Sequence, residues 1–333
     1  MTSQPADDLA AQCFPAPSAA FFDRSQNSWV LSRYQDVLDA MHEPALRQEG
    51  HEKVPAQVRQ NVSDAISQSR MSEWEKQIEP LAHRIIAALP QGRSIELVSE
   101  VLRPWSCAVT SVVLGLDASG ARQLAALAPH LSHGNARSLH RIGLAIRRRV
   151  ASARLKRLLR GVRLPGVQSL FLGISQTLPE FLAKAWLALL ENPSQLARLQ
   201  AEPNLMPKGV DELLRFSGPV HTLVRRAERD VEIADLNIAE GDRVILKVAL
   251  ANRDPGHFIN PNSLDIARRN TGHLSLGGGP HSCVGALLVR MAAISATRAF
   301  TEKMAMAELV EPVVWRRGST LESPHSLRVR LES

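Results

Sequence analysis

Cysteine is scarce in this chain, whose 333 residues include only Cys13, Cys107 and Cys283. Three widely spaced cysteines exclude a disulfide framework, and their spacing matches no zinc-ligand pattern. A reducing compartment suits such a chain, so we expect a cytoplasmic protein.

Long apolar runs are also absent, and none approaches the ~20 residues that a membrane-spanning helix needs. Residues 1–22 lack a basic stretch followed by an apolar one, and they contain Asp7, Asp8 and three prolines. We therefore expect no signal peptide and no transmembrane anchor, and we expect residues 1–25 to be flexible.

Aromatic residues make up only 4% of the chain, although 44% of it is hydrophobic. This balance predicts a core of Leu, Ala and Val in a mostly helical protein. Apolar periodicity predicts helices over Tyr34–His42, residues 95–114 and Ala118–Leu131. No repeat, low-complexity linker or break in composition divides the chain, so we expect a single domain over residues 1–333.

Acidic residues are missing from residues 137–163, which hold ten Arg and Lys. Apolar residues recur there at helical spacing and predict a basic amphipathic helix or pair of helices. The face is either simply solvated or attracts an acidic protein partner. No interleaved aromatic set accompanies the charges, so we expect no nucleic-acid partner.

A glycine-rich loop, residues 273–286, is the most informative stretch. Three consecutive glycines allow the main chain to approach a flat group closely. Cys283 follows them, and an apolar, helical pattern begins directly afterwards. Backbone N–H groups and a helix N-terminus favour a thiolate, which is a ligand for a soft metal centre such as haem iron. The alternative is a glycine-rich turn with a buried, inert cysteine.

The ordered set Gly277, Gly279, His281, Cys283 and Gly285 resembles the cysteine-ligand loop of the cytochrome P450 family. The resemblance implies a mainly α fold with small β-sheets (α+β), triangular in outline. It also implies haem b with Cys283 as the axial thiolate. Leu276 stands where the family has Phe, which alters the packing beneath the sulfur.

A second motif is Glu212-x-x-Arg215, whose spacing puts both side chains on one helix face. It resembles the buried ion pair that braces the proximal side of the haem in the family. In the family a third, basic residue joins this pair. Its position falls near Ser263 in this chain, and Arg268 is the candidate that could take its place.

The resemblance implies that Arg225, His281 and Arg59 meet the haem propionates, whose charges need paired cations when partly buried. The family pairs the last of these with a His four residues earlier, where this chain has Pro55. An exposed structural role for Arg59 is the alternative.

The oxygen-activating stretch aligns with residues 173–177. Thr177 retains the family's hydroxyl, but Gln176 replaces an acid and Ile174 a glycine, so proton delivery is slower or rerouted. A hydroxyl bonded to the preceding helical turn is the alternative for Thr177. Pro179 is expected to bend the helix beside this stretch.

These features predict a haem-thiolate monooxygenase of secondary metabolism that inserts one atom of O₂ into a small organic molecule. Trimmed lid regions at 44–55 and 131–164 suit a bulky substrate, a substrate presented on a carrier protein, or a pocket completed by another chain. A separate ferredoxin-type partner is expected to supply electrons. The alternatives are non-standard haem-thiolate chemistry (peroxide-driven, rearrangement, dehydration or bond-forming) and a haem-binding protein without turnover.

Overall fold

A computed structural model of the protein describes residues 16–49, 56–66, 68–131, 141–162, 173–269, 272–304, 307–317 and 321–331. Residues 1–15, which form most of the segment predicted to be flexible, lie outside these ranges. So does Pro55, and so do parts of both predicted lid regions.

Helices make up most of the regular structure. Within the described residues the α-helices are, in chain order, α1 (Tyr34–His42), α2 (Ala56–Ala65), α3 (Gln68–Ala87), α4 (Arg103–Val113), α5 (Ala118–Leu131), α6 (Arg141–Leu158), α7 (Leu178–Glu191), α8 (Pro193–Ala201), α9 (Met206–Ser217), α10 (Val248–Ala251) and α11 (Ala286–Lys303). Two π-helical turns, Leu97–Leu102 and Gly173–Thr177, directly precede α4 and α7.

The strands are short. They are β1 (Phe21–Asp23), β2 (Ser28–Leu31), β3 (Leu46–Gln48), β4 (Ser94–Glu96), β5 (Leu223–Ala227), β6 (Val231–Ile233), β7 (Leu236–Ile238), β8 (Arg243–Leu246), β9 (Ala307–Leu309), β10 (Val314–Arg317), β11 (Glu322–Ser326) and β12 (Arg328–Leu331). They form a five-stranded sheet in the order β1-β2-β8-β5-β3, a three-stranded sheet β4-β12-β9, and the pairs β6-β7 and β10-β11. The predicted class, mainly α with small β-sheets, is confirmed.

The chain divides into two compact units, with boundaries inside α7 and β11. The first unit comprises the described parts of 1–53, 184–283 and 319–323. Its core lies between α1 and the five-stranded sheet, where Val37 and Met41 of the helix are buried with Leu31 and Val244 of the sheet. Full burial of each such side chain contributes about 1.5–3 kcal/mol.

The second unit comprises the described parts of 54–183, 284–318 and 324–333. Helix α3 packs against α11 and α4, and α5 packs against α4 and α6. Ile78 of α3, Val109 of α4 and Leu124 of α5 are fully buried there. The prediction of one domain over the whole chain stays a prediction.

One predicted helix is wrong at its beginning. Residues 95–114 read as helical, but β4 pairs antiparallel with β12 and places Ile95 opposite Val329. A π-helical turn then leads into α4. The tertiary pairing of Ile95, which is fully buried, overrides its helical pattern.

Helix α6 corresponds to the predicted basic helix and covers part of the predicted range 137–163. Ala151, Leu155 and the following Leu159 are buried at four-residue spacing, whereas Arg149 and Arg154 are exposed. Val150, expected on the apolar face, is 47% exposed. None of the described helices is long and apolar enough to cross a lipid bilayer.

Candidate functional site

The cysteine loop belongs to the first unit as far as Cys283, and it closes on itself. The backbone N–H of Cys283 donates to the carbonyl of Leu276 at 2.8 Å, and that of Ser282 donates to Gly279 at 3.1 Å. Cys283 itself is exposed. The burial expected under the alternative of an inert cysteine is therefore wrong.

Two glycines of this loop have positive φ angles, +74° at Gly277 and +59° at Gly279. A Cβ atom added at Gly279 would lie 2.6 Å from the carbonyl oxygen of Met41 and 2.9 Å from Cα of His42. Both atoms belong to the C-terminal end of α1, so only glycine lets the loop pack this closely against the helix.

Asn252, which follows α10, fixes the start of the loop. Its side-chain amide donates to the Ser275 hydroxyl at 2.8 Å, and its side-chain oxygen accepts the N–H of Leu274 at 2.7 Å. The Ser275 hydroxyl donates in turn to the carbonyl of Leu214 in α9. These buried bonds tie the loop to the helix that carries Glu212 and Arg215.

Glu212 and Arg215 form the buried ion pair that their spacing indicates. Arg215 Nε and Nη2 donate to the two carboxylate oxygens of Glu212 at 2.7 and 2.8 Å, and neither side chain is exposed. Arg268 Nε lies 3.0 and 3.1 Å from the same oxygens, so Arg268 occupies the place of a third partner. The carbonyl of Ser263 accepts from both arginines.

Arg225 lies in β5, an interior strand of the five-stranded sheet, and is 2% exposed. Its Nη1 donates to the carbonyl of Val224 at 3.3 Å, while its Nε has no hydrogen-bond partner. Burial lowers the pKa of the guanidinium, which nevertheless stays a cation. No carboxylate among the described residues pairs with it. The position therefore suits an anionic group of a ligand.

The other predicted cofactor residues are divided between the units. His281 ends the 3₁₀ turn Gly279–His281 and is half-buried in the first unit, with Arg225 and Cys283. Arg59 is half-buried in α2, and Gly285 precedes α11, where its carbonyl accepts the N–H of Val289 at 2.9 Å. Both belong to the second unit.

The predicted oxygen-activating stretch is the π-helical turn Gly173–Thr177. Pro179 directly follows this turn at the second residue of α7, so it lies inside a continuous helical run, as expected. Because proline has no N–H, a carbonyl in the preceding turn needs another donor. The buried Ser106 hydroxyl donates to the carbonyl of Ile174.

The side chains of Gln176 and Thr177 are both half-buried. The Gln176 amide donates to the Ser175 hydroxyl at 3.4 Å. None of the hydrogen bonds formed among the described residues uses the Thr177 hydroxyl. The bond to the preceding turn, considered above as the alternative for Thr177, is therefore not formed there.

A buried polar network in the first unit was not predicted. Lys184 Nζ lies 3.1 Å from the carbonyl of Gly218 and 2.6 Å from His221 Nε2, and His221 Nδ1 lies 3.2 Å from Glu322 Oε2. Burial and then the Lys184 charge lower the pKa of His221 to about 3, so the imidazole is neutral despite the nearby carboxylate. Burial lowers the pKa of Lys184 to about 8.

This network has no local signal in the sequence, since its members come from a helix, a loop and a late strand. The Lys and His are 37 residues apart. A Lys within the apolar run of α7 was the one available hint, because buried lysines need partners.

Known proteins with a similar sequence or fold carry the same family description. A family model described as Cytochrome P450 matches residues 195–295. The curated protein cytochrome p450 CYP199A2 of Rhodopseudomonas palustris is 36% identical over 165 residues. That stretch is 50% of this chain and 40% of that relative, so the chain spans less than half of the relative's length.

Solved structures match more of the chain. CYP109B1 from Bacillus subtilis is 26% identical, with a TM-score of 0.85 over 94% of this chain and 96% of its own. P450BioI was solved in complex with an acyl carrier protein ligated to hexadec-9Z-enoic acid. It is 21% identical, with a TM-score of 0.80 over 98% of this chain and 97% of its own. The latter likeness concerns the fold alone.

The region matched by the family model contains Glu212, Arg225 and Cys283. Motifs, fold and relatives agree: this chain is similar to the cytochrome P450 family, in sequence over part of its length and in fold over almost all of it.

Proposed function

We propose that the protein is a haem-thiolate monooxygenase, which inserts one oxygen atom from O₂ into a small organic molecule. The observation that carries the proposal is the cysteine loop. It presents an exposed Cys283 after two glycines of positive φ and is anchored to the helix of the buried Glu212–Arg215 pair.

Members of the family bind haem through a cysteine thiolate, and the residues of this chain suit that group. Cys283 would be the axial ligand. Arg225, a buried cation to which the described residues offer no carboxylate, would bind a propionate. His281 and Arg59 are the further propionate candidates. When bound, haem with a thiolate ligand supplies O₂ activation, because the thiolate pushes electron density onto the iron.

Gln176 and Thr177 are the candidates for assisting proton transfer. The Thr177 hydroxyl, which is not used within its own helix, can hold or pass a proton. The Gln176 amide can orient water but cannot release a full proton at neutral pH. This substitution favours a second candidate function, a haem-thiolate enzyme that uses peroxide or performs a rearrangement, dehydration or bond-forming step.

Substrate and partners belong to the same proposal. A secondary metabolite, free or attached to a carrier protein, is the proposed substrate, and the carrier complex of one structural neighbour supports the second form. A ferredoxin-type protein is the proposed electron donor. The exposed Arg149 and Arg154 of α6 and the net charge of +7 would attract such an acidic partner. A cytoplasmic location stays a prediction.

A spectral titration followed by isotope labelling tests the function. Compounds that shift the haem spectrum of the purified protein are turned over under ¹⁸O₂ with a ferredoxin and its reductase. We expect one labelled oxygen atom in the product. Product formed only with hydrogen peroxide, or without label, would support the second candidate. No spectral shift and no product would leave a haem-binding protein without turnover.

The Thr177→Ala variant in the same assay tests the hydroxyl. We expect less product for each O₂ consumed, because general acid–base assistance contributes on the order of 10²–10⁴-fold. Unaltered coupling would assign proton transfer to other groups.

A further inference from the structure

A cleft of about 320 Å³ lies within the second unit, between the start of α4 and the start of α7. Its volume is at the lower end of the range of small-molecule pockets, ~300–1,000 Å³. Three of the residues that line it, Ser99, Pro104 and Ala125, are exposed. The cleft therefore opens to solvent at this rim, and a small organic molecule can enter it.

Much of the cleft wall is apolar and built from small side chains. These lining residues are Val98, Pro104, Cys107, Ala125, Pro179 and Pro324. Burial raises the pKa of the Cys107 thiol, so this side chain stays neutral and behaves as a small apolar group. Among the described residues that line the cleft there is no aromatic ring. Such a wall suits the aliphatic body of a ligand.

Two arginines and one carboxylate supply the charges of the cleft. Glu180 pairs with Arg316, so these two charges offset each other. Arg103, the first residue of α4, is half-buried, and no carboxylate among the described residues pairs with it. Burial raises the pKa of Glu180 and of Cys107, and the charge of Arg103 opposes both rises, so it acts on two other groups of the wall. The cleft thus has one uncompensated positive charge.

We propose that this cleft binds a small aliphatic carboxylic acid, with its carboxylate on Arg103 and its body against the apolar wall. A guanidinium binds a carboxylate through two parallel N–H···O bonds, and partial burial strengthens the pairing. One uncompensated charge matches a carboxylate better than a dianionic phosphomonoester. The proposal goes beyond the proposed function and does not rest on it, because it concerns ligand binding by the second unit alone.

Isothermal titration calorimetry of the purified haem protein with octanoate and octanamide tests the recognition of charge. The two probes share one chain length, and only octanoate is charged. We expect the wild type to bind octanoate at least about tenfold more tightly, because a hydrogen bond to a charged group contributes that much or more. Arg103→Gln should remove this preference. Arg122→Gln, which changes an exposed arginine of α5 outside the cleft wall, should keep it.

Two tryptophan variants test the place of binding. Ala125→Trp narrows the rim and should weaken both probes several-fold, whereas Ala126→Trp, at the next exposed position of α5, lies outside the cleft wall and should change neither. No binding of octanoate, a preference that survives Arg103→Gln, or equal affinities in the two tryptophan variants would overturn the proposal. The titration needs neither O₂ nor an electron donor, so a failure of oxygen insertion would contradict the proposed function and leave this result unchanged.

Discussion

At the scale of single residues, the carboxylate of Glu212 is the centre of a buried cluster of three charged side chains. It pairs with Arg215 and Arg268, and both arginines also donate to backbone carbonyls of the segment from Ile259 to Ser263. A fully buried carboxylate persists only because these donors replace its lost hydration.

Glu212→Gln should lower the free energy of unfolding by about 3–5 kcal/mol, because two guanidinium groups would share a neutral partner in a buried place. Glu202→Gln is the matched control, since Glu202 pairs with Arg198 on an exposed helix surface and should cost no more than about 1 kcal/mol. Urea unfolding measures both. Equal losses for the two variants would show that the buried network does not stabilise the fold.

Gly279 and Gly241 provide a second residue-scale comparison. Both have positive φ, but a side chain at Gly241 would meet nothing within 4 Å, whereas one at Gly279 would meet the backbone of α1. Gly241→Ala should therefore cost only the backbone strain, about 1–2 kcal/mol. Gly279→Ala should cost clearly more and should also weaken haem retention. Similar unfolding energies and haem contents for the two variants would contradict the close packing of the cysteine loop on α1.

Sequence reasoning worked for residues whose neighbours are close in the chain. The spacing of Glu212 and Arg215 predicts their pairing, and the glycine pattern predicts a tight loop before Cys283. Arg268 was suggested only as a substitute because its position is shifted relative to the family. The network of Lys184, His221 and Glu322 depends on tertiary folding and was not predicted.

At the scale of secondary structure elements too, features set by residues close in the chain were predicted, and features set by tertiary contacts were not. Helices α1 and α5 have the predicted bounds, because amphipathic periodicity is a local property. The π-helical turns before α4 and α7 were not predicted, because they depend on contacts with other elements. Glu96 joins β4 to the first of these turns and also bonds the N–H of Leu327.

Glu96 also provides a pH-dependent prediction. Burial alone would raise its pKa, but bonds from the N–H groups of Leu327, Ser99 and Val98 and from the Ser99 hydroxyl outweigh burial and lower it. A carboxyl whose pKa is lowered by folding stabilises the protein above its unfolded pKa, and this contribution is lost as the pH falls through the folded pKa.

Glu96→Gln should therefore lower the free energy of unfolding by about 1–3 kcal/mol at neutral pH. The difference from the wild type should shrink below about pH 4, where the unfolded carboxyl becomes protonated. Urea unfolding at both pH values measures this, with the exposed Glu75→Gln as control. A loss of stability that is the same at both pH values would contradict the role of the carboxylate.

At the scale of the whole molecule, the region that matches the family model contains only part of the proposed site. The family model covers 195–295, where the ion pair, Arg225 and Cys283 lie. Gln176 and Thr177 lie outside that region, where Gln and Ile stand at two positions of the family pattern. The fold class could be predicted from composition and motifs together, whereas the substrate could not, because the expected lid regions carry no recognisable motif.

The central claim is that Cys283 is the thiolate ligand of a haem iron. The most direct measurement is the absorption spectrum of the reduced carbon monoxide complex of Cys283→Ser, compared with the wild type and with Cys107→Ser, which changes a buried cysteine. The wild type and Cys107→Ser should show the spectrum of a thiolate-ligated haem, and Cys283→Ser should lose it. A thiolate spectrum that persists in Cys283→Ser, or that is absent from the haem-loaded wild type, would contradict the account.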